Sequence, residues 1–449
     1  MYLAYSLLLS LGLLLLSPYF LFQALAHRKY IDGLRERLGF IPPLNRQPVI
    51  WLHCVSVGET QAARPLVERL RHEWPQHALV VSTVTLTGQK LARDLFRTQA
   101  ARVFYFPFDW RWSVRRVLRA INPAVVLVME TELWPNFLRE CRTREVPVAV
   151  VNGRISRKSF ARYRRVRFFL RRVLEDVTIA VMQSEKDAAR LRELGGTKVV
   201  VAGNLKFDVG IVDLQTDLPS RFGLKADVPL VLAASTHAPE EKILLDSFKR
   251  LRRTVNAEPA LRVRLMIAPR KPERFAEVAA LIEASGLSWA RRTSAPQATD
   301  TDAEVILLDT IGELPSVYEF ATVVFVGGSI VDRGGHNVLE PAAHGVAVVT
   351  GAHTHNFHAI VDLLNEANAM VQLPPVEGAE AVAALTEVCE RLLADAEWRT
   401  GLGTRAKQII NANTGATERT MKLIAPLFSA SQSAGSTSDS LQPANAHTA

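Results

Sequence analysis

Cysteine is scarce in this chain: three in 449 residues, Cys54, Cys141 and Cys389, far apart and forming no CxxC pair. That argues against a disulfide framework and a thiolate zinc site, and fits a reducing compartment. No GxxxxGK[S/T] segment is present, which excludes a Walker A nucleotide triphosphatase. No HExxH occurs either, and His336, His344, His353, His355 and His358 lack a cysteine partner. They are read as polar or substrate contacts, with no metal and no bound cofactor expected. Negative charge is also short, with 45 acidic against 54 basic residues and a formal charge of +9. This balance favours an anionic partner: nucleic acid, a phospholipid surface or a phosphorylated substrate.

From Tyr2 to Ala26 charge is missing altogether, and Leu7–Leu16 is nearly all leucine. That length can cross a bilayer core of about 30 Å. Ala24-Leu25-Ala26 has the pattern of a signal-peptidase site, but no basic residue precedes the apolar run. Arg28, Lys29, Arg35 and Arg37 follow it instead, so the reading adopted is an uncleaved anchor over 1–27 with the body on the cytoplasmic side. A cleaved signal, or an interfacial helix interrupted by Pro18 and serines, are the alternatives.

Beyond the anchor, apolar runs alternate with helical spacing. Strands are expected near 49–53, 79–83, 103–106, 124–129, 147–152, 179–183 and 198–202. After a break at 208–228, marked by Asp208, Asp213, Asp217, Pro219 and Gly223, they resume near 230–234, 264–268, 305–308, 323–326 and 346–350. Such alternation predicts parallel sheets with helices on both faces. The expected organisation is an anchor (1–27), a first Rossmann-like domain (28–207), a linker (208–228), a second Rossmann-like domain (229–428) and a disordered tail (429–449) rich in Ser, Ala, Thr and Gln. Ligands of such sheets bind beyond the carboxyl ends of the strands.

The residues at those ends are the candidates. Glu59, in the S-V-G-E-T turn after the first strand, reads equally as a general base or as a helix-start carboxylate in a capping box with Ser56. Glu130-Thr131-Glu132 follows 124–129 and suits acid–base work, substrate orientation or an acidic helix start. Lys206 in G-N-L-K-F-D could face a carboxylate or phosphate, or solvent. Arg270, after Pro269, offers paired donors to a phosphate. Asp309-Thr310-Ile311-Gly312-Glu313 could present backbone groups to a base ring. The segment 325–357 is the most informative. Glycines at 327, 328, 334 and 335 are expected to let a phosphate approach backbone N–H groups, and Glu340 to accept from ribose hydroxyls. Nine Lys or Arg lie between Arg154 and Arg172, with Phe160, Tyr163, Phe168 and Phe169 among them. Stacked bases, an anionic membrane or lipid phosphates, and a solvated amphipathic helix are all compatible with that stretch. The anchor tips the reading to lipid, with no nucleic acid.

Together W-L-H-C-V-S-V-G-E-T (51–60), E-T-E-L-W-P-N (130–136), G-N-L-K-F-D (203–208), A-P-R-K-P-E-R-F (268–275) and the 325–357 segment resemble the 3-deoxy-D-manno-octulosonic acid (Kdo) transferases of lipopolysaccharide synthesis. The resemblance covers nearly the whole chain except the tail. It implies an α/β GT-B glycosyltransferase, two Rossmann-like domains facing a cleft. The implied reaction is inverting, metal-independent transfer of Kdo from CMP-Kdo to the lipid A precursor lipid IVA, at the cytoplasmic face of the inner membrane. Glu59 matches the family's proton acceptor, and Glu130 and Lys206 its transition-state stabilisers. Pro269 and Arg270, then Ile311, Gly312 and Glu313, then Asn337, Val338, Leu339 and Glu340 match its CMP-binding segments. Lys271 departs from the usual His of A-P-R-H-P-E-R-F, and Val338 stands where Pro often follows G-G-H-N. The competing readings are a membrane-associated GT-B enzyme with a UDP-sugar donor, and a non-catalytic membrane-anchored binding module.

Overall fold

The computed structural model describes residues 1–27, 33–44, 47–208, 216–225, 227–255 and 262–436; of residues 16–27, 255 and 429–436 only the backbone is described. The chain divides into two compact units, 1–208 with 414–449, and 209–413.

The first unit holds seven strands: β1 (Val49–His53), β2 (Ala78–Thr83), β3 (Arg102–Tyr105), β4 (Pro123–Met129), β5 (Val148–Gly153), β6 (Ile179–Met182) and β7 (Val199–Val201). All pair in parallel, in the order β3-β2-β1-β4-β5-β6-β7. Alternation sorts each strand between two cores. Val49 and Trp51 of β1 join Val126 and Val128 of β4 on one face, while Ile50 and Leu52 join Val125, Leu127 and Met129 on the other. A sheet covered on both faces explains why these strands read as unbroken apolar runs.

The second unit repeats the plan with β8 (Leu230–Thr236), β9 (Arg264–Pro269), β10 (Trp289–Arg291), β11 (Val305–Leu307), β12 (Val323–Val326), β13 (Ala347–Thr350) and β14 (Val371–Gln372). Its parallel order is β10-β11-β9-β8-β12-β13-β14. In the second sheet β11 inserts between β9 and β10 near one edge, and in both sheets the order switches direction at the centre, between β1 and β4 and between β8 and β12. Chains leaving those neighbouring strands depart to opposite sides, which opens a crevice at their carboxyl ends.

The expected boundary at 428 differs from the observed partition. Residues 414–428 belong to the first unit, because Asp208 accepts from the N–H groups of Gly415 (2.6 Å), Ala416 (3.3 Å) and Thr417 and so caps the helix Ala416–Ser436. Phe428 then stacks on Trp74 with ring centroids 3.8 Å apart. That helix runs through 429–436, where a disordered tail was expected; 437–449 lie outside the described residues. Of the expected linker, 209–215 and 226 also lie outside them, and Leu218–Arg221 is a helical turn tied into the second unit by Arg221 and Asp300 (2.9 Å).

The N-terminal run forms one helix, Tyr2–His27. Its first turns lie against the first unit. The Tyr2 hydroxyl donates to Asp176 (2.6 Å), Asn136 donates to the Ser6 hydroxyl (3.0 Å) and the Trp110 indole to the Ser10 hydroxyl (3.0 Å). Tyr2 and Tyr5 both pack on the Phe169 ring. Leu3, Leu7, Leu8, Leu11, Leu14 and Leu15 face outward, each more than half exposed. Among the described residues no helix is long and apolar enough to cross a membrane. Arg28 and Lys29, which weighed in the orientation, lie outside the described residues.

Candidate active site

In the first unit the crevice between β1 and β4 gathers carboxylates. Glu59 lies in the short helix Val57–Ala62 that follows β1, and only 6% of its surface is exposed. Val55 N–H donates to one carboxylate oxygen (2.7 Å) and the Ser56 hydroxyl to the other (3.0 Å). The side chain reaches back over its own helix start, but the expected capping box does not form, because the Ser56 hydroxyl is spent on the carboxylate and caps no backbone N–H; Glu59 remains a buried acid at a strand end. Burial, then the neighbouring charge of Glu130 and more weakly Glu132, raise its pKa from 4.5 to about 8, against the pull of the Val55 and Ser56 donors. A carboxyl tuned that far can exchange a proton near neutral pH.

Glu130 follows β4 directly. Its backbone is left-handed, φ 54°, a conformation costly for a side chain with a Cβ and typical of functional sites. Glu130 N–H is tied to Val151 O (2.9 Å), and the Thr131 hydroxyl and Arg154 backbone bond each other reciprocally (2.6 and 3.0 Å). These ties to β5 and its exit hold the turn in place. Glu132 is half-buried, and its pKa is raised by burial and by Glu130. Lys206 sits on the 3-10 turn Leu205–Asp208, positioned because Asn152, at the end of β5, accepts from Leu205 N–H (3.0 Å). Burial lowers the Lys206 pKa, while Glu130 and Glu59 pull it up and Arg154 pushes it down. Glu59, Glu130, Glu132, Lys206 and Arg154 thus form one electrostatic cluster. Glu132 was legible as a second acid of E-T-E but is not among the residues the resemblance singles out.

The aromatic residues of the basic stretch do not form a stacking platform. Phe160, Tyr163 and Phe169 turn inward onto the core, and only Phe168, 75% exposed, points out. The arginines between them occupy two helices, Arg157–Arg165 and Arg167–Leu174.

In the second unit the glycine segment differs from its expectation. The N–H groups of Gly328 (2.8 Å), Ser329 (2.9 Å) and Ile330 (3.0 Å) do not await a phosphate. They donate to the buried Glu240 carboxylate, which also accepts from His237 N–H (2.9 Å). Gly327 is required because a Cβ there would lie 2.7–2.8 Å from Ser235 O and the Glu240 carboxylate. Glu240 escaped the sequence reading; the available signal was its place in T-H-A-P-E-E after β8, as Glu59 stands after β1.

The other predicted donor residues line the same carboxyl edge. Arg270 is exposed just after β9, its N–H on Thr236 O (3.1 Å), beside buried Pro269. Ile311 and Gly312 are exposed, leaving their backbone groups accessible. The Glu313 carboxylate is instead engaged by Arg292 (2.7 Å). Asn337 donates to Glu340 (2.9 Å), Tyr318 hydroxyl donates to the other Glu340 oxygen (3.2 Å), and Asn337 caps Leu339 N–H (3.0 Å). Val338 and Leu339 are buried, so only their backbone is available to a ligand. His336 meets His237 through their Nε2 atoms (2.9 Å), while His353 and His355 face Asp332 and His358 faces Asp362. Among the described residues no group of three or more His, Cys, Asp or Glu is placed to hold a metal.

Two parallel-sheet α/β units, each with charged residues at the strand reversal, make a fold like that of GT-B glycosyltransferases. The fold is similar to that of a glycosyltransferase from Rickettsia africae ESF-5, at 11% identity and a TM-score of 0.53, covering 85% of this chain and 99% of that one. Residues 32–209 match the family described as 3-deoxy-D-manno-octulosonic-acid transferase (kdotransferase). The chain is 34% identical over 404 residues to the 3-deoxy-D-manno-octulosonic acid transferase of Haemophilus influenzae, covering 89% of this chain and 92% of that protein. To the enzyme of the same name from Bordetella pertussis it is 33% identical, covering 86% and 89%. The chain belongs to the Kdo transferase family.

Proposed function

We propose that this protein transfers Kdo from CMP-Kdo to the lipid A precursor lipid IVA in lipopolysaccharide synthesis, with inversion and without a metal. The observation that carries the reading is Glu59: a buried carboxyl at the strand reversal of a Kdo transferase family member, tuned to about 8 beside Glu130. Glu59 takes the proton of an acceptor hydroxyl, whose oxygen bonds to the anomeric carbon of Kdo. The bond from that carbon to the CMP phosphate breaks, and its electron pair leaves with the phosphate. Lys206 and Glu130 orient the acidic sugar and stabilise the transition state. Arg270 faces the phosphate, the exposed backbone of Ile311 and Gly312 meets the base, and Glu340 accepts from ribose hydroxyls. Incubation with CMP-Kdo and lipid IVA, read by mass spectrometry, is expected to show acceptor mass rising by whole Kdo residues. No product with CMP-Kdo, together with turnover of a UDP-sugar, overturns the reading.

The same reading puts the protein at the cytoplasmic face of the inner membrane, held by its N-terminal helix. The leucine face of that helix and the exposed Phe168 and Val166 supply apolar contact, and the arginines of 154–172 meet anionic headgroups and the acceptor's phosphates. Docking through Tyr2, Ser6 and Ser10 supports a helix lying along the surface. Leu7→Asp with Leu11→Asp is expected to release the full chain from vesicles carrying anionic phospholipid in flotation assays. Unchanged flotation refutes the membrane assignment of this face.

A further inference from the structure

The crevice between β8 and β12 contains a pair of histidines to which no role has been given above. His237 is the first residue beyond β8, and His336 is carried on the loop beyond β12. Their Nε2 atoms lie 2.9 Å apart, with ring planes 8° from parallel and centroids 5.1 Å apart. A hydrogen bond between two imidazoles needs one N–H and one lone pair, so the contact holds one shared proton. The backbone N–H of His237 donates to Glu240 and so fixes that residue's main chain, and the His336 ring lies against Gly328, where a Cβ would approach it to 2.9 Å. Among the described residues neither Nδ1 has a hydrogen-bond partner.

The charges around the pair are unbalanced. Glu240 is consumed by four backbone N–H groups, and Glu241 by Arg274 and the Thr236 hydroxyl. Arg270, Lys271 and Arg333 are exposed and carry no such partner of matching strength; Lys271 reaches Glu273 only at 3.9 Å. Burial is the main cause that keeps both imidazoles neutral. Arg333, Lys271 and Arg274 add to it at His237 against Glu241, and Arg270 adds to it at His336, whose pKa falls to about 4. An anion entering here would reverse that balance and favour a proton on the pair.

We propose that His237 and His336 form a proton-accepting clamp for the phosphoryl group of the nucleotide, so that phosphate binding at this crevice takes up a proton. The clamp rests on the donor reading above and deepens it. When the bond to the anomeric carbon breaks, the phosphate gains a second negative charge. A proton held by the pair, with Arg270, meets that charge in place of a metal.

The test is calorimetric titration of the full chain with CMP and with UMP at pH 6, 7 and 8, alongside cytidine by ligand-observed NMR. Wild type, His336→Asn and His237→Asn are compared. Loss of a charge-assisted hydrogen bond is expected to weaken the monophosphate about 10- to 100-fold at pH 6 and to leave cytidine unchanged. Cytidine binding also reports that the variants are folded. Wild-type affinity should fall from pH 6 to 8, although the ligand's own second ionisation near pH 6 pushes the other way. The variants should lose that fall. Variants within twofold of wild type at pH 6, or equal losses for CMP and cytidine, overturn the clamp. Wild-type binding of UMP but not CMP overturns the donor reading, and the clamp is then judged on UMP. Binding of neither nucleotide overturns both.

Discussion

Replacing Glu59 by Gln should make the protein inactive and, in alkaline solution, more stable. The folded-state pKa of about 8 lies above the ordinary 4.5, with burial the main cause. Between those values the unfolded chain ionises while the folded carboxyl keeps its proton. Stability is therefore full below pH 4.5 and is lost as pH rises through 8. A displacement of that size corresponds to as much as about 4–5 kcal/mol above pH 8, at 1.36 kcal/mol per pH unit. Between pH 6 and pH 9 the wild type should lose about 2–3 kcal/mol through this group, and Glu59→Gln should not. The variant gives up part of the bonding with Val55 N–H and Ser56, which costs about 1 kcal/mol at every pH. Thermal denaturation at pH 6 and 9 separates the two effects, since only the first depends on pH. Activity carries the complementary signature. With a base of pKa 8, about one tenth of the free enzyme is in the basic form at pH 7, so kcat/KM should rise about tenfold from pH 6 to 7 and level off above 8. Glu59→Gln should lower it about 10²- to 10⁴-fold and flatten the profile. A stability difference independent of pH, or a wild-type kcat/KM already flat from pH 6 to 8, would refute the assignment.

Glu132→Gln removes one of the charges that raise Glu59, so the acid limb of the pH–rate profile should move to lower pH; an unmoved limb means the two carboxylates do not interact. Glu240→Gln keeps the shape of a side chain that accepts four backbone N–H groups but turns an acceptor into a donor. It should cost the second unit about 2–4 kcal/mol in urea denaturation followed through that unit, and a loss under 0.5 kcal/mol would mean the glycine loop finds other partners.

Most of both sheets was legible because a parallel strand covered on two faces must be apolar along its length. Runs such as 125–129 and 323–326 could not be mistaken. The strands that escaped, Trp289–Arg291 and Val371–Gln372, are edge strands of three and two residues, half-buried and mixed in polarity. A strand covered on one side and that short leaves no period to read. Residues 414–428 read as part of the second domain for a different reason: their partners, Asp208 and Trp74, are hundreds of residues away in sequence.

Sequence alone determined which polar residues stand at the strand ends. Glu59, Glu130, Lys206, Arg270 and Glu340 are visible because an α/β chain alternates apolar runs with turns, and polar residues in those turns must emerge at one edge. Tertiary structure alone decided what each one faces. It buried Glu59, set Glu130 and more weakly Glu132 beside it, and so raised a common carboxyl to about 8. It gave the N–H groups of the glycine segment to Glu240, and it brought His237 and His336, 99 residues apart, within a hydrogen bond. Charge interaction and burial depend on distances of a few ångströms across neighbouring strands, and strand order is not written in the spacing of residues along the chain.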